Sequence, residues 1–361
     1  VDVSNATGMT VGYTLGLDSS AREHIVVVVK GTFTIPKEGR ELELADEQMP
    51  LIMADTFSGE PGLSATVYES EFSLFKPYCD VLVNGSAWAP RDRPSKRVRV
   101  GLRVGAIDKQ FDVVGDRTWE GGFPTGLRPG APEPFKSMPV SYDRAYGGVD
   151  DSNPDKIVSY LPNIVGVGYH PSRPNRQIKG RPLPNTEEPG RPVRSVKGRY
   201  RPMSYGPLGR NFPPRPEYAG TYDEKWLERG FPFLPADFDT RYFQSAPPDQ
   251  QMKHPRGGLG VELTNLTPNG RTTFRLPSIE VPVELTDASF ERHETQGSLD
   301  TIVIEPDVGR AMLVWRASRP LKRNMLEMRQ IVVGRMTNGW YRARARGKSY
   351  RRSGQTVRVA G

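Results

Sequence analysis

The chain has 361 residues, 36% of them hydrophobic and 25% charged, enough to bury a core in two domains or in one large β domain. Its 37 glycines and 34 prolines argue against a helical bundle, its single cysteine excludes an intrachain disulfide, and its four scattered histidines exclude a zinc site of the usual kind. The formal charge of +8 is partitioned: residues 169–216 carry eleven Lys/Arg against two Asp/Glu, residues 319–361 carry twelve against one, and the remaining 270 residues sum to −12.

Two such basic strips either fold onto the acidic body, stay solvated, or meet an acidic partner. The apolar runs at 25–29 and 311–315 are too short to span a bilayer, and no signal-peptide pattern opens the sequence. The expectation is a soluble, cytoplasmic protein in a reducing compartment, with no membrane contact, no structural metal and no cofactor.

In chain order, residues 25–35 are a β-branched run ended by Pro36, which predicts a buried strand running into a half-exposed one. Residues 74–83 predict a second strand region, broken at Pro77 and closed by the Asn84-Gly85 turn. The most regular alternation is at 97–104. There Val98, Val100, Leu102 and Val104 fall on one face and Arg97, Arg99 and Arg103 on the other, a strand with one wet, basic face. Residues 111–114 pair with it across a turn at Asp108, completing an N-terminal β lobe over 1–120.

From 121 to 216 the chain is a Gly/Pro-rich connecting segment, whose basic arm at 169–216 holds eleven prolines. It reads as a functional loop, as an extended binding arm, or as plain disorder. A junction motif and a C-terminal β lobe follow over 217–333. Within 219–251, Thr221 is placed to N-cap a helical turn, with Glu224 in capping-box position, Trp226 and Leu227 as its apolar side, and Gly230 and Pro232 as its stop. Val261, Leu263, Phe274 and Leu276 flank an Asn-Gly turn at 265–270, and strands at 302–304 and 312–315 flank 305–309, so two hairpins are expected. Leu321, Met325, Met328 and Val332 recur at helical spacing, which reads as one short helix near 320–330 or, as such Met-rich stripes more often do, simply as core, and residues 334–361 form a basic tail. The fold class is mainly β: two antiparallel β-rich lobes, sandwich or barrel-like, with long Pro/Gly-rich loops and one or two short helices.

Asp237 and Asp239 form an Asp-x-Asp pair, a spacing that presents two carboxylates to a divalent metal and a sugar nucleotide. No phosphate-binding loop precedes it, and the favoured reading is charge-assisted hydrogen bonding to Arg241 and to turn amides. The histidines sit in no ligand motif, no nucleophile elbow is present, and Cys79 shares a strand face with Val81 and Val83, which suits an inert core thiol. The tail from Tyr341 to Arg352 alternates arginines between tyrosines and is the best nucleic-acid candidate; as a strand it places Arg342, Arg344 and Arg346 on one face, which also suits an acidic protein. No nucleic-acid module surrounds it. Three Asn-x-Ser/Thr sequons read as chance matches.

Pro207-Leu208-Gly209-Arg210, Tyr218-Ala219-Gly220-Thr221-Tyr222-Asp223 with Trp226, Leu234-Pro235 with Asp237-Phe238-Asp239 and Arg241, and Ala246-Pro247-Pro248-Asp249-Gln250 follow one another in order. Supporting stretches are Val28-Val29-Lys30-Gly31-Thr32-Phe33, Asp80-Val81 with Trp88, Arg144-Ala145-Tyr146-Gly147-Gly148 and Leu313-Val314-Trp315-Arg316-Ala317. With these, residues 26–320 resemble a bacterial family, domain of unknown function 2169, found in type VI secretion loci.

That resemblance implies a non-enzymatic adaptor, or effector chaperone, which binds a secreted toxin and loads it onto the spike or spike-tip protein. It carries over no catalytic residue. Thr221, Glu224, Trp226, Asp237, Asp239 and Arg241 then read as a structural junction. The cations read as partner-binding are Arg191, Arg194, Lys197, Arg199 and Arg201 in the arm and Arg342, Arg344 and Arg346 in the tail. The alternatives are a carbohydrate-active enzyme using Asp237 and Asp239, and a nucleic-acid-binding protein using the tail.

Overall fold

A computed structural model describes residues 1–346 apart from 38, 123, 125 and 323. Its principal strands are β1 Asp2–Asn5, β2 Thr10–Leu17, β3 Glu23–Thr34, β4 Cys79–Val83, β5 Arg97–Val104 and β6 Ile107–Val114. They continue with β7 Gly260–Thr264, β8 Arg271–Arg275, β9 Pro282–Asp287, β10 Arg292–Gln296, β11 Ser298–Glu305, β12 Arg310–Pro320 and β13 Met328–Val333. The described helices are short: α1 Asn175–Ile178, α2 Glu224–Arg229 and α3 Asn338–Ala345. The chain is mainly β, and among the described residues no sheet closes into a barrel.

Strands distant in sequence share sheets. The largest sheet runs Gln251–Met252, β4, β11, β12, β3, β2, with β3 and β12 antiparallel over eleven residue pairs and β4 and β11 parallel. A second runs Thr186–Glu187, β6, β5, β7, β8, and a third β1, β13, β9, β10. β3 is a continuous apolar run because both its faces are covered. Val27 and Val29 enter the main core with Val81, Ile302 and Leu313, while Val26 and Val28 pack beneath Leu74 and Val314 on the other side. Each such side chain contributes about 1.5–3 kcal/mol of burial. Gly31 is required here, since a Cβ would lie 2.5 Å from the Phe33 ring and 2.7 Å from the Met9 sulfur.

On β5 the valines and Leu102 are buried and Arg97, Arg99 and Arg103 are exposed, as the alternation predicts. Both expected hairpins form, β7–β8 and β11–β12, the latter closed by Gly309 at φ +67°. The helical spacing of 321–332 gives instead a 3-10 turn, Met325–Glu327, running into β13, because Ile331, Val332 and Val333 pair between β1 and β9.

The arm does not take the disordered alternative. Ile178, Leu183, Val193 and Tyr200 bury against Trp119, Tyr146 and Tyr169, with the Tyr146 hydroxyl donating to the Gly198 carbonyl at 2.6 Å. His170 is buried beside this cluster, and neither of its ring nitrogens has a hydrogen-bond partner. Burial, reinforced by Arg181 and Arg173 and opposed by Asp150 and Asp151, pushes its pKa down from 6.5 to about 4. The folded state therefore binds this proton less readily than the unfolded state. The His170 contribution is whole above pH 6.5 and is lost as pH falls toward 4, with a slope of about 1.4 kcal/mol per pH unit. Urea unfolding between pH 4.5 and 7.5 is expected to show that slope in the wild type, and His170→Leu to flatten it.

Candidate partner-binding surface

Residues 218–243 leave the sheets as a small aromatic knob. A six-residue helix is marginal alone, and α2 buries none of its residues, so the knob is held by local bonds. Its N-cap is Asp223, whose Oδ1 accepts the Trp226 N–H at 2.8 Å. This corrects the expectation that Thr221 caps the helix: Thr221 lies two residues upstream and donates its N–H and hydroxyl to Asp237 at 3.0 and 2.7 Å. Among the described residues no side-chain bond of Glu224 closes a capping box.

The Trp226 indole N–H donates to the Phe233 carbonyl at 2.9 Å, and its ring stands edge-on to Tyr222 and Phe231 with centroids 4.7 and 5.8 Å apart. Asp239 caps the following turn through the Arg241 N–H at 2.8 Å and takes the Arg241 guanidinium at 2.6 and 2.9 Å. That guanidinium also lies 4.2 Å from the Tyr218 ring centroid. Thr221 holds the Asp237 carboxyl below its usual range, and Arg241 does the same for Asp239. Each carboxylate of the Asp-x-Asp pair thus has its own partner within the knob.

Beside the exposed charges of Glu224, Lys225, Glu228 and Arg229, this scaffold leaves four large apolar side chains open to solvent. Tyr222 is 54% exposed, Leu227 62%, Phe231 63% and Phe233 40%. Prolines 232 and 235 interrupt the chain around the two phenylalanines and keep that stretch out of a sheet.

The root of the knob is rigid. Phe243 packs on the Val26, Val28 and Val314 face, and the next residues seize a buried carboxylate. Asp80 accepts Gln244 Nε2 at 2.6 Å, the Ser245 N–H at 2.8 Å and Lys76 Nζ at 2.8 Å. Gln250 donates to the Val81 and Tyr205 carbonyls at 2.7 and 2.9 Å. Of the six residues read as a junction, Thr221, Trp226, Asp237, Asp239 and Arg241 bond inside the knob. The ties to the sheet come from Gln244, Ser245 and Gln250, which sequence reasoning missed. The available signal was Asp80 itself, a lone charge in the apolar strand Cys79–Val83.

In the arm Arg191, Arg194, Lys197, Arg199 and Arg201 are all exposed. Two of them are engaged within the chain: Arg201 pairs with Asp249 at 2.6 Å, and Arg191 pairs with Glu188 at 3.7 Å and bonds the Arg199 carbonyl at 3.1 Å while lying over Tyr200. Arg194, Lys197 and Arg199 make no ion pair with the described residues. The tail departs from the expected strand. Residues 338–345 are helical, so the two-residue strand period that would set Arg342, Arg344 and Arg346 on one face does not hold there. The remainder of the tail, from 347, lies outside the described residues.

A grouping of three potential metal ligands, Asp287, Glu291 and His293, occurs on the β9–β10 hairpin. Asp287 already accepts the Ser289 hydroxyl and the Ser289 and Glu291 amides at 2.7–2.9 Å, which caps that turn. A cavity against the large sheet, lined by Lys30, Tyr68, Glu71, Lys76, Thr301 and Arg316, has about 30 Å³, room for a water.

Residues 20–316 match a family described as uncharacterized protein conserved in bacteria (DUF2169). The chain belongs to that family. The matched span holds the knob, its root on Asp80 and the arm, and leaves β1, β2, β13 and α3 outside. No curated protein and no solved structure matches the chain.

Proposed function

We propose that this family member is a non-enzymatic adaptor, an effector chaperone of a type VI secretion system, which holds a secreted toxin in the bacterial cytoplasm and passes it to the spike or spike-tip protein. The observation that carries the adaptor reading is the knob: four apolar side chains left uncovered on a braced scaffold. Uncovered aromatic and aliphatic groups on a hydrogen-bonded base are what a protein interface uses as anchors, since the backbone that carries them is already placed before binding. The exposed cations Arg194, Lys197 and Arg199 supply long-range attraction to an acidic partner. The assignment to type VI secretion rests on the sequence resemblance.

The test is deletion of the chain from its own cell. The reading expects the steady-state level of a toxin and its appearance outside the cell to fall, and to return when the chain is supplied again. Unchanged toxin level and unchanged secretion contradict it.

A further inference from the structure

The knob carries charge beside its apolar side chains, and the two signs are separated. Residues 218–243 hold five carboxylates against three cations. Asp239 and Arg241 cancel each other at 2.6 and 2.9 Å. Asp223 and Asp237 take neutral donors, the Trp226 N–H and the Thr221 N–H and hydroxyl, so their charge stays uncompensated. Glu224, Lys225, Glu228 and Arg229 are exposed, and none of them forms an ion pair among the described residues. Four carboxylates against two cations leave the knob at −2.

The helix decides which of these charges border the apolar side chains. Side chains three or four positions apart on a helix are neighbours, and those two apart face away from each other. Within α2, Glu224 stands three positions before Leu227, and Glu228 lies on the same flank of Leu227 as Glu224. Asp223, the N-cap, sits one turn before Leu227, whose N–H its carbonyl accepts at 3.0 Å. Lys225 and Arg229 are two positions to either side of Leu227 and therefore point to the far side of the helix. The rim of the exposed leucine is acidic. Glu224 and Glu228, four positions apart, also repel each other, and a cation seated between them relieves that repulsion.

We propose that the knob docks on an apolar segment of a partner polypeptide that also carries lysine or arginine, with those cations seated beside Leu227 against Asp223, Glu224 and Glu228. Local charge complementarity selects this partner over an acidic one. A second copy of the chain is a poor match: its basic arm buries Val193 and Tyr200, and the side chains it exposes over residues 191–201 are polar or charged. The arm itself, through Arg194, Lys197 and Arg199, has the opposite sign from the knob. The two surfaces therefore suit two different partners, as a protein that receives one polypeptide and delivers it to another requires. This inference rests on the adaptor reading of the knob.

The test uses the full chain and, as probes, two synthetic helical peptides with the same leucine face, one carrying lysine and the other glutamate at every remaining position. By fluorescence anisotropy the wild-type chain binds the lysine peptide about tenfold more tightly than the glutamate peptide. Glu224→Gln/Glu228→Gln narrows that preference, and Glu224→Lys/Glu228→Lys reverses it. Both pairs of changes fall on exposed side chains of the knob, so any attraction of the lysine peptide to acidic residues elsewhere is common to all the chains and cancels in the comparison. Leu227→Ser/Phe231→Ser weakens both peptides. Equal affinity of the wild type for the two peptides, or an unchanged preference in Glu224→Lys/Glu228→Lys, overturns the proposal. Self-association of the wild type that the lysine peptide displaces also overturns it, by making a second copy the occupant. The failures are distinguishable: equal affinities that Leu227→Ser/Phe231→Ser still weakens overturn the charge selection alone, whereas affinities that this variant leaves unchanged remove the knob as a contact surface and with it the observation that carries the adaptor reading.

Discussion

Asp80→Ala is expected to destabilise the fold by about 3–5 kcal/mol, the range for breaking a buried ion pair from one side. Asp80 is fully buried on β4 and is the common acceptor for Lys76, Gln244 and Ser245. Its removal leaves the Lys76 ammonium, itself buried, with the Thr301 hydroxyl at 3.0 Å as its remaining partner, and leaves the Gln244 amide and Ser245 N–H short of an acceptor. The same lesion loosens the root of the knob, because Gln244 and Ser245 follow directly on Phe243. Urea unfolding measures the loss. Asp92→Ala, which breaks the exposed Lys136–Asp92 pair, is the comparison and is expected to leave the midpoint in place. An Asp80→Ala midpoint equal to the wild type would refute the anchoring role.

Replacing Leu227 and Phe231 together by serine is expected to abolish partner binding while leaving the fold intact. Both side chains are more than 60% exposed, so their loss opens no cavity, and surface changes of this kind move stability by about 0.5 kcal/mol or less. In the proposed complex the same two side chains would be buried. At about 1.5–3 kcal/mol each, their truncation removes roughly 3–6 kcal/mol of binding, on the order of a hundredfold in Kd or more. The local bonds of the knob keep the remaining scaffold in place, because neither the Asp223 cap nor the Trp226–Phe233 bond uses these side chains.

Much of this architecture can be read before any coordinates exist, where a period and a turn agree. β5 shows it, with four apolar residues alternating against three arginines, and so do the two hairpins closed at Asn-Gly and at Gly309. α2 is legible as an element, but its cap is not. Thr221 and Asp223 are both good capping residues, and the choice is made by Asp237, sixteen positions from Thr221. The tail shows the opposite ambiguity: Arg-Ala alternation fits a strand by pattern, yet both residues favour helix by propensity, and with no pairing strand among the described residues, propensity prevails. Asp80 is visible as an oddity in an apolar strand, but its partners at 244 and 245 lie 164 and 165 residues away, and nothing local names them. The exposure of Leu227, Phe231 and Phe233 is likewise a property of the assembled chain, since an apolar residue in the sequence carries no mark of whether it is covered.

The most direct test is to recover the wild-type chain and the Leu227→Ser/Phe231→Ser chain from the native bacterium under identical conditions and to identify what accompanies each. The adaptor account predicts that a type VI toxin, or a spike or spike-tip subunit, accompanies the wild type and is lost from the variant. Recovery of the wild type without any such protein, or of the same companions with both chains, would contradict it.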